Sequence, residues 1–351
     1  MLHLDSAVER VLALFIKTLI SVSLLSIEAC AQNMVCNSDW ITIINDKCVY
    51  DKNDHAAFTS LTYKGGDLIV TFREGADHLA TPSSNGVIRT LQKTNRGWKQ
   101  QHLFAVDGID LRDPFLLEWE SRLLLYMDCF YSELTKDGWA KLKRITHNAP
   151  YYPHLPGIWK KRIYKDRAYG VGFRGGQWPL LFCSEDGIEW QVVCEYKLGG
   201  NASEADMVFI GDTMYVCIRV DSPEGTNSLW GRSVYPFTEC HWSVMDISVA
   251  SPEMKVLSDE TILLAGREYD YHREDGKNVR RVSLFALDKE GQVKARYTHY
   301  DDKGEFDDLG YPSISKGKNG EYYMSYYVGA SNHTKIRLLT FKINEEHLNE
   351  N

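Results

Sequence analysis

Residues 63–73, YKGGDLIVTFR, carry the pattern that decides the fold: a short polar turn leading into a strand of apolar residues. The unit returns at 118–129 (EWESRLLLYMDC), 163–174 (IYKDRAYGVGFR), 209–219 (FIGDTMYVCIR), 256–267 (VLSDETILLAGR) and 315–328 (SKGKNGEYYMSYYV). Gly, Asp, Asn, Ser and Lys fill the turns, where they favour tight reversals. Val, Ile, Leu, Tyr and Phe fill the strands. Successive copies begin about 45 to 60 residues apart, the interval of propeller blades.

A second strand pair follows each copy, as at 86–99 (GVIRTLQKTNRGWK), 179–191 (PLLFCSEDGIEWQ) and 281–295 (RVSLFALDKEGQVKA). Four strands make a blade. Six copies therefore predict an all-β fold, a six-bladed β-propeller occupying 32–351 as a single domain. The stretch 39–51, DWITIINDKCVYD, is expected to close the ring by pairing with the last blade, which removes the sheet edges that invite aggregation. A β-sandwich with many hairpins is the rival architecture; the even spacing and repeated turn chemistry favour the propeller.

The first 31 residues read differently. Arg10 and Lys17 flank the hydrophobic stretch 11–27, and Ala29-Cys30-Ala31 follows. A basic start, a short apolar run and small residues at its end predict a secretory signal over 1–31. Lys17 breaks the run, which is too short to span a bilayer comfortably. Release before Gln32 is the favoured outcome. A lipid anchor at Cys30 is the alternative, although Glu28 departs from a lipobox. The expected location is secreted or periplasmic, or anchored at the cell surface.

The formal net charge is -8 and no basic block supports a nucleic-acid partner. The 20 tyrosines and 9 tryptophans suit strands and also sugar-binding clefts, where an apolar ring face stacks on a sugar. A carbohydrate partner, no membrane span, no cofactor and a monomer are the expectations. Beyond Cys30 the cysteines are Cys36, Cys48, Cys129, Cys183, Cys194, Cys217 and Cys240. Proximity alone would pair Cys36 with Cys48, or Cys183 with Cys194. The odd count and the absence of CxxC favour free thiols and exclude an obvious zinc site.

Ser184-Glu-Asp-Gly-Ile-Glu-Trp190 resembles the Asp-box of sialidases, Ser-x-Asp-x-Gly-x-x-Trp, with one residue missing. Residues 94–98 (TNRGW) and 135–139 (TKDGW) look like decayed copies. The motif is structural and marks a fold, not an activity. The resemblance to the sialidase superfamily extends in blade order over nearly the whole chain after the signal. It sharpens at Glu204, Arg219, Arg267 and Tyr311, which keep the order of the family's Glu, Arg, Arg and Tyr.

The resemblance implies a glycosidase in which arginines hold a substrate carboxylate and Tyr311, deprotonated by Glu204, attacks the sugar. A neutral tyrosine avoids the repulsion that a carboxylate nucleophile would suffer from an anionic substrate. The departures concern the first arginine and the acid. Where sialidases carry Arg-Ile-Pro, this chain reads Ala57-Phe58-Thr59-Ser60-Leu61, and an arginine appears one strand later, in Phe72-Arg73-Glu74-Gly75. A group of sialidase-like secreted proteins is similar in bearing Phe-Arg-Glu-Gly, Arg-Asp-Pro and Tyr-Pro.

Arg73, Arg219 and Arg267 are therefore expected to form one carboxylate clamp. Asp113, Asp77 or His78 is expected to supply the acid. Arg112-Asp113-Pro114 resembles a tripeptide of five-bladed glycosidases whose Asp stabilises the transition state; a strand-entry turn is the plain alternative. Tyr151, Tyr152, His154 and Trp159 form an aromatic rim suited to sugar. The competing reading of Glu204 is a structural ion pair with Arg219, and that of Tyr311 is packing. The leading expectation is a hydrolase for a terminal sialic or uronic acid. A uronic-acid lyase and a non-catalytic binding propeller are the alternatives.

Overall fold

The computed structural model describes residues 39–52, 54–78, 85–149, 157–173, 178–198, 201–221, 226–270, 279–301, 308–330 and 332–349. Residues 1–31, read from the sequence as a secretory signal, and Cys36, Tyr151, Tyr152 and His154 lie outside the described residues. Among the described residues six sheets, antiparallel except for one short outer strand, follow one another around a ring. Each of the six repeated units is the hairpin that joins the innermost strand of a blade to its neighbour.

Blade 1 runs through His55–Lys64, Asp67–Gly75, Val87–Thr94 and Gly97–Phe104. Blade 2 has Phe115–Trp119, Arg122–Met127 and Phe130–Thr135, with Gly138–Trp139 and Lys143–Arg144 sharing its outer edge. Blade 3 has Gly157–Tyr164, Arg167–Phe173, Leu180–Ser184 and Glu189–Glu195, with Thr146–His147 added in parallel outside. Blade 4 has Ala202–Ile210, Thr213–Val220, Leu229–Val234 and His241–Val244. Blade 5 has Ser248–Ser258, Thr261–Asp270, Val279–Leu287 and Val293–Asp301. Blade 6 has Asp308–Lys316, Tyr322–Ala330 and His333–Ile343, and its outer strand is Ile41–Tyr50 from the other end of the chain. Ile41 pairs with Ile343 and Tyr50 with Ile336, so the ring closes as the sequence predicts.

Apolar clusters fill the wedges between blades. Leu263 and Leu284 of blade 5 meet Met324 and Leu339 of blade 6 in one of them. Ile69 and Ile88 of blade 1 meet Leu123 and Leu125 of blade 2 in another. Strands buried on both faces explain why the repeats read as near-continuous apolar runs rather than as clean alternation.

The Ser184–Trp190 hairpin is built by side chains. Asp186 Oδ1 accepts the amides of Ile188 (2.7 Å) and Glu189 (2.9 Å), and Ser184 Oγ accepts that of Gly187 (2.8 Å). Trp190 is buried and donates its indole N–H to the Gly187 carbonyl. At 94–98 and 135–139 a threonine hydroxyl bonds the glycine carbonyl instead, at 2.8 and 2.9 Å. Cys48, Cys129, Cys183, Cys194, Cys217 and Cys240 are free thiols, so no bond joins Cys183 to Cys194. Among the described residues no helix is long and apolar enough to cross a membrane.

The innermost strands share a device that places the site. In five of them one extra residue breaks the pairing, at Ala57/Ser60, Ile158/Lys161, Ala202/Ala205, Ala250/Glu253 and Gly310/Ser313. Such bulges redirect a side chain out of the sheet. Phe58, Ser251 and Tyr311 sit at the bulges with φ of 56°, 48° and 49°, and Asp113 enters blade 2 with φ of 48°. Left-handed backbone at non-glycine residues costs energy and clusters at functional sites. Pro114, Pro252 and Pro312 follow three of these residues; proline has no N–H to leave unpaired where the ladder is broken.

Candidate active site

The redirected residues converge on the ring axis. Those of three bulges, Phe58, Trp159 and Tyr311, line a cavity of about 250 Å³ together with Arg112, Asp113 and Lys161. Blades 1, 2, 3 and 6 thus all contribute. Trp159 of blade 3 reaches Tyr311 of blade 6 edge-on, with ring centres 6.0 Å apart.

Tyr311 donates its hydroxyl proton to Glu204 Oε1. The other oxygen of Glu204 accepts Arg219 Nη1 at 3.0 Å and the Ser251 amide at 2.6 Å. Burial raises the Glu204 carboxyl, but the Arg219 charge and the Tyr311 hydrogen bond outweigh it and hold the group below the usual carboxylate range. Burial and the Glu204 charge push the Tyr311 phenol well above its ordinary value, against the pull of Arg267 and Arg219. The resting pair is an ionised carboxylate accepting from a protonated phenol. Glu204 bonds Arg219 and Tyr311 at once, so the structural ion pair and the tyrosine contact coexist.

Arg267 flanks the other side of Tyr311, its guanidinium 5.2 Å from the ring centre. It donates to Asp308 Oδ1 at 3.0 Å, to the Tyr327 hydroxyl at 2.6 Å, to the Tyr269 hydroxyl at 3.1 Å and to the Leu309 carbonyl. Asp308 Oδ2 meets His55 Nε2 and His78 Nδ1, each at 2.7 Å. Burial raises the Asp308 carboxyl, yet the two histidine bonds and the Arg267 charge leave it far below the ordinary range. His55, His78 and Asp308 bring three potential metal-ligand atoms within 4.8 Å. Arg267 on the same carboxylate opposes a cation there.

The expected three-arginine clamp is not assembled. Arg73 has no exposed surface and does not line the cavity. Its Nε and Nη2 lie 2.8 and 2.7 Å from Asp110 Oδ1, and its Nη1 donates to the Asp77 carbonyl at 2.8 Å. The Phe58 ring centre lies 5.9 Å from its guanidinium, and Phe58 rather than Arg73 lines the cavity. Arg219 is taken by Glu204 and by Asp221 at 2.7 Å, and Arg267 by Asp308. A buried charge must be paired, so each arginine has its own carboxylate. Asp77 meets the site through its backbone, and His78 is tied to Asp308 rather than free in its loop.

Arg112 does face the cavity. Its guanidinium lies 4.8 Å from the Phe58 ring centre, donates to the His78 carbonyl at 2.9 Å and stands 3.4 Å from Asp110. Burial pushes the neighbouring Asp113 carboxyl up to about 7, with the Arg112 charge opposing and Glu204 and Asp128 adding to the rise. Lys161, on the adjacent wall, is 2% exposed. Burial lowers its amine to about 7, with Asp113 opposing. The sequence reading missed Lys161, His55, Asp308 and the place of Phe58. The run Lys160-Lys161-Arg162 in an inner strand was the one available signal for the lysine.

No family model matches the chain, and no curated protein matches it by sequence. Solved structures match its fold. A protein of unknown function from Dyadobacter fermentans superposes with a TM-score of 0.71 at 16% identity, covering 88% of this chain and 100% of that one. The NanB sialidase of Streptococcus pneumoniae gives 0.62 at 10% identity, over 85% of this chain and 71% of that one. The α-L-arabinofuranosidase Arb93A of Fusarium graminearum gives 0.57 at 13%, over 85% and 97%. The chain therefore has a sialidase-like β-propeller fold of the kind that glycoside hydrolases use.

Proposed function

We propose that this chain is a glycoside hydrolase of sialidase-like type, removing a terminal sialic or uronic acid from a glycan. The observation that supports it is the Tyr311–Glu204 contact at the cavity wall. As the Tyr311 oxygen bonds the anomeric carbon, its proton passes to Glu204 Oε1. Asp113, protonated near neutral pH, gives its proton to the departing glycosidic oxygen. Water then cleaves the tyrosyl–sugar bond, with Asp113 taking a proton from the water and Glu204 returning one to the phenol. Trp159 and Phe58 give the sugar apolar walls.

The test is hydrolysis of 4-methylumbelliferyl sialoside, glucuronide and galacturonide, with Tyr311→Phe and Glu204→Gln alongside. Hydrolysis lost in both variants is the expected result; wild-type rates in both would remove this mechanism. An unsaturated product absorbing in the ultraviolet would identify a lyase instead. Glycan binding without turnover would identify a binding propeller.

A further inference from the structure

The charges of the ring axis are unevenly compensated. Lys160 is held by Glu253 at 2.7 Å and by the Pro312 carbonyl at 3.0 Å. Arg219 and Arg267 are matched by Glu204, Asp221 and Asp308. Asp110 is shared between Arg73, which lies close, and Arg112, which lies at 3.4 Å. Two cavity-lining cations lack a short ion pair of their own: Arg112 shares Asp110 at 3.4 Å and feels Asp113 and Asp128 through space, and Lys161 feels Asp113. The Lys161 ammonium donates to a neutral group, the Ile158 carbonyl, at 2.6 Å, and stands 4.3 Å from the Tyr126 ring centre. Two of its three protons have no hydrogen-bond partner among the described residues. A buried ammonium with no carboxylate hydrogen-bonded to it is costly, and one kept at a ligand cavity is explained when the ligand brings the missing acceptor.

We propose that Lys161 and Arg112 together bind the carboxylate of the substrate, on the blade 2 and blade 3 side of the cavity, in place of the arginine clamp that the chain lacks. Blade 3 stands across the ring from blade 6, so a sugar acid held there by its carboxylate lies between these cations and Tyr311. Arg112 presents a planar fork and Lys161 a point charge, a pair suited to one carboxylate. The depressed amine of Lys161 agrees with a site that gives up part of its charge near neutral pH when empty and regains it when an anion arrives. The nearest titratable neighbours are Asp113 and Tyr126 of blade 2, with Arg112 and Asp128 on the same wall.

This inference rests on the reading of the cavity as a sugar-acid site, and its test is binding rather than turnover. Dissociation constants of D-glucuronate, N-acetylneuraminate and D-glucose are measured by titration calorimetry at pH 6 on the wild type, Lys161→Met and Lys161→Gln. The methionine removes a buried charge and the glutamine keeps a donor for the Ile158 carbonyl, and thermal denaturation shows on which variant binding is read. The expected result is that one of the two acids binds more tightly than glucose. Its affinity then falls about tenfold to a hundredfold in the variants, while glucose binding is unchanged. Equal affinity of glucose and both acids for the wild type, or wild-type acid affinity in both variants, overturns the proposal. Acid binding lost in the variants, with no glycoside cleaved by the wild type, upholds the carboxylate site and overturns the hydrolase.

Discussion

The Tyr311 hydroxyl of blade 6 donates to Glu204 of blade 4, two blades away around the ring, and Arg219 holds the other Glu204 oxygen at 3.0 Å. The contact spans 107 residues of sequence. It puts an acceptor for the phenol proton in place before any substrate arrives.

Tyr311→Phe removes the attacking oxygen and one buried hydrogen bond. Turnover on the cleaved glycoside is expected to fall about a hundredfold or more, and stability by about 1–2 kcal/mol because Glu204 Oε1 loses its donor. Initial rates and thermal denaturation separate the two effects.

Asp113→Asn addresses the proposed acid. An acid whose pKa rises on folding, here from 3.8 to about 7, contributes its stability below the unfolded value and loses it as pH rises through the folded one. The uncharged asparagine avoids that loss. The variant is expected to be more stable than the wild type above pH 7, by about 1–2 kcal/mol once partial solvation is allowed for, and to converge with it near pH 4. Its activity is expected to fall about a hundredfold or more and to lose the wild type's decline above neutral pH. Denaturation and rate profiles over the same pH range check both statements.

Asp110→Asn tests the place of Arg73. With no exposed surface and Asp110 as its counter-charge, Arg73 would be left as an uncompensated buried cation. A loss of about 3 kcal/mol or more in denaturant unfolding is expected. A variant as stable as the wild type would mean that Arg73 can turn outward, and the clamp could then be rebuilt.

Gly187→Ala tests the Ser184–Trp190 hairpin. Gly187 has φ of +78°, and a Cβ there would lie 2.5 Å from the Tyr126 hydroxyl. Steric strain and left-handed backbone together are expected to cost about 2 kcal/mol or more, read as a lowered melting temperature. Tyr126 also lines the cavity, so hydrolysis at a temperature where the variant stays folded is expected to fall, but far less than in Tyr311→Phe.

The fold was legible because each blade announces itself locally. A Gly or Asp turn and the apolar strand after it, as in Gly65-Gly66-Asp67-Leu68, need no distant partner to be recognised. The ring-closing strand Ile41–Tyr50 was legible for the same reason. Tyr311 and Glu204 were singled out by the resemblance to the sialidase order of Glu, Arg, Arg and Tyr, and blade-opening positions near the axis fit that reading. The direction of Arg73 was not legible. A one-residue bulge reverses which side chains face the axis, and the bulge between Ala57 and Ser60 brings Phe58 forward while Arg73 is buried behind it.

The amino-acid sequence by itself determined six turn-strand units, their order and the residues that open them, because turn chemistry and apolar patterning act over a few residues. Tertiary structure alone decided which charges cancel. His55 meets Asp308 across 253 residues, Arg73 is neutralised by Asp110, and Lys161 is left facing the cavity with a carbonyl for a partner. Compensation of buried charge depends on distances of a few ångström between blades. Those distances exist only once the ring is closed.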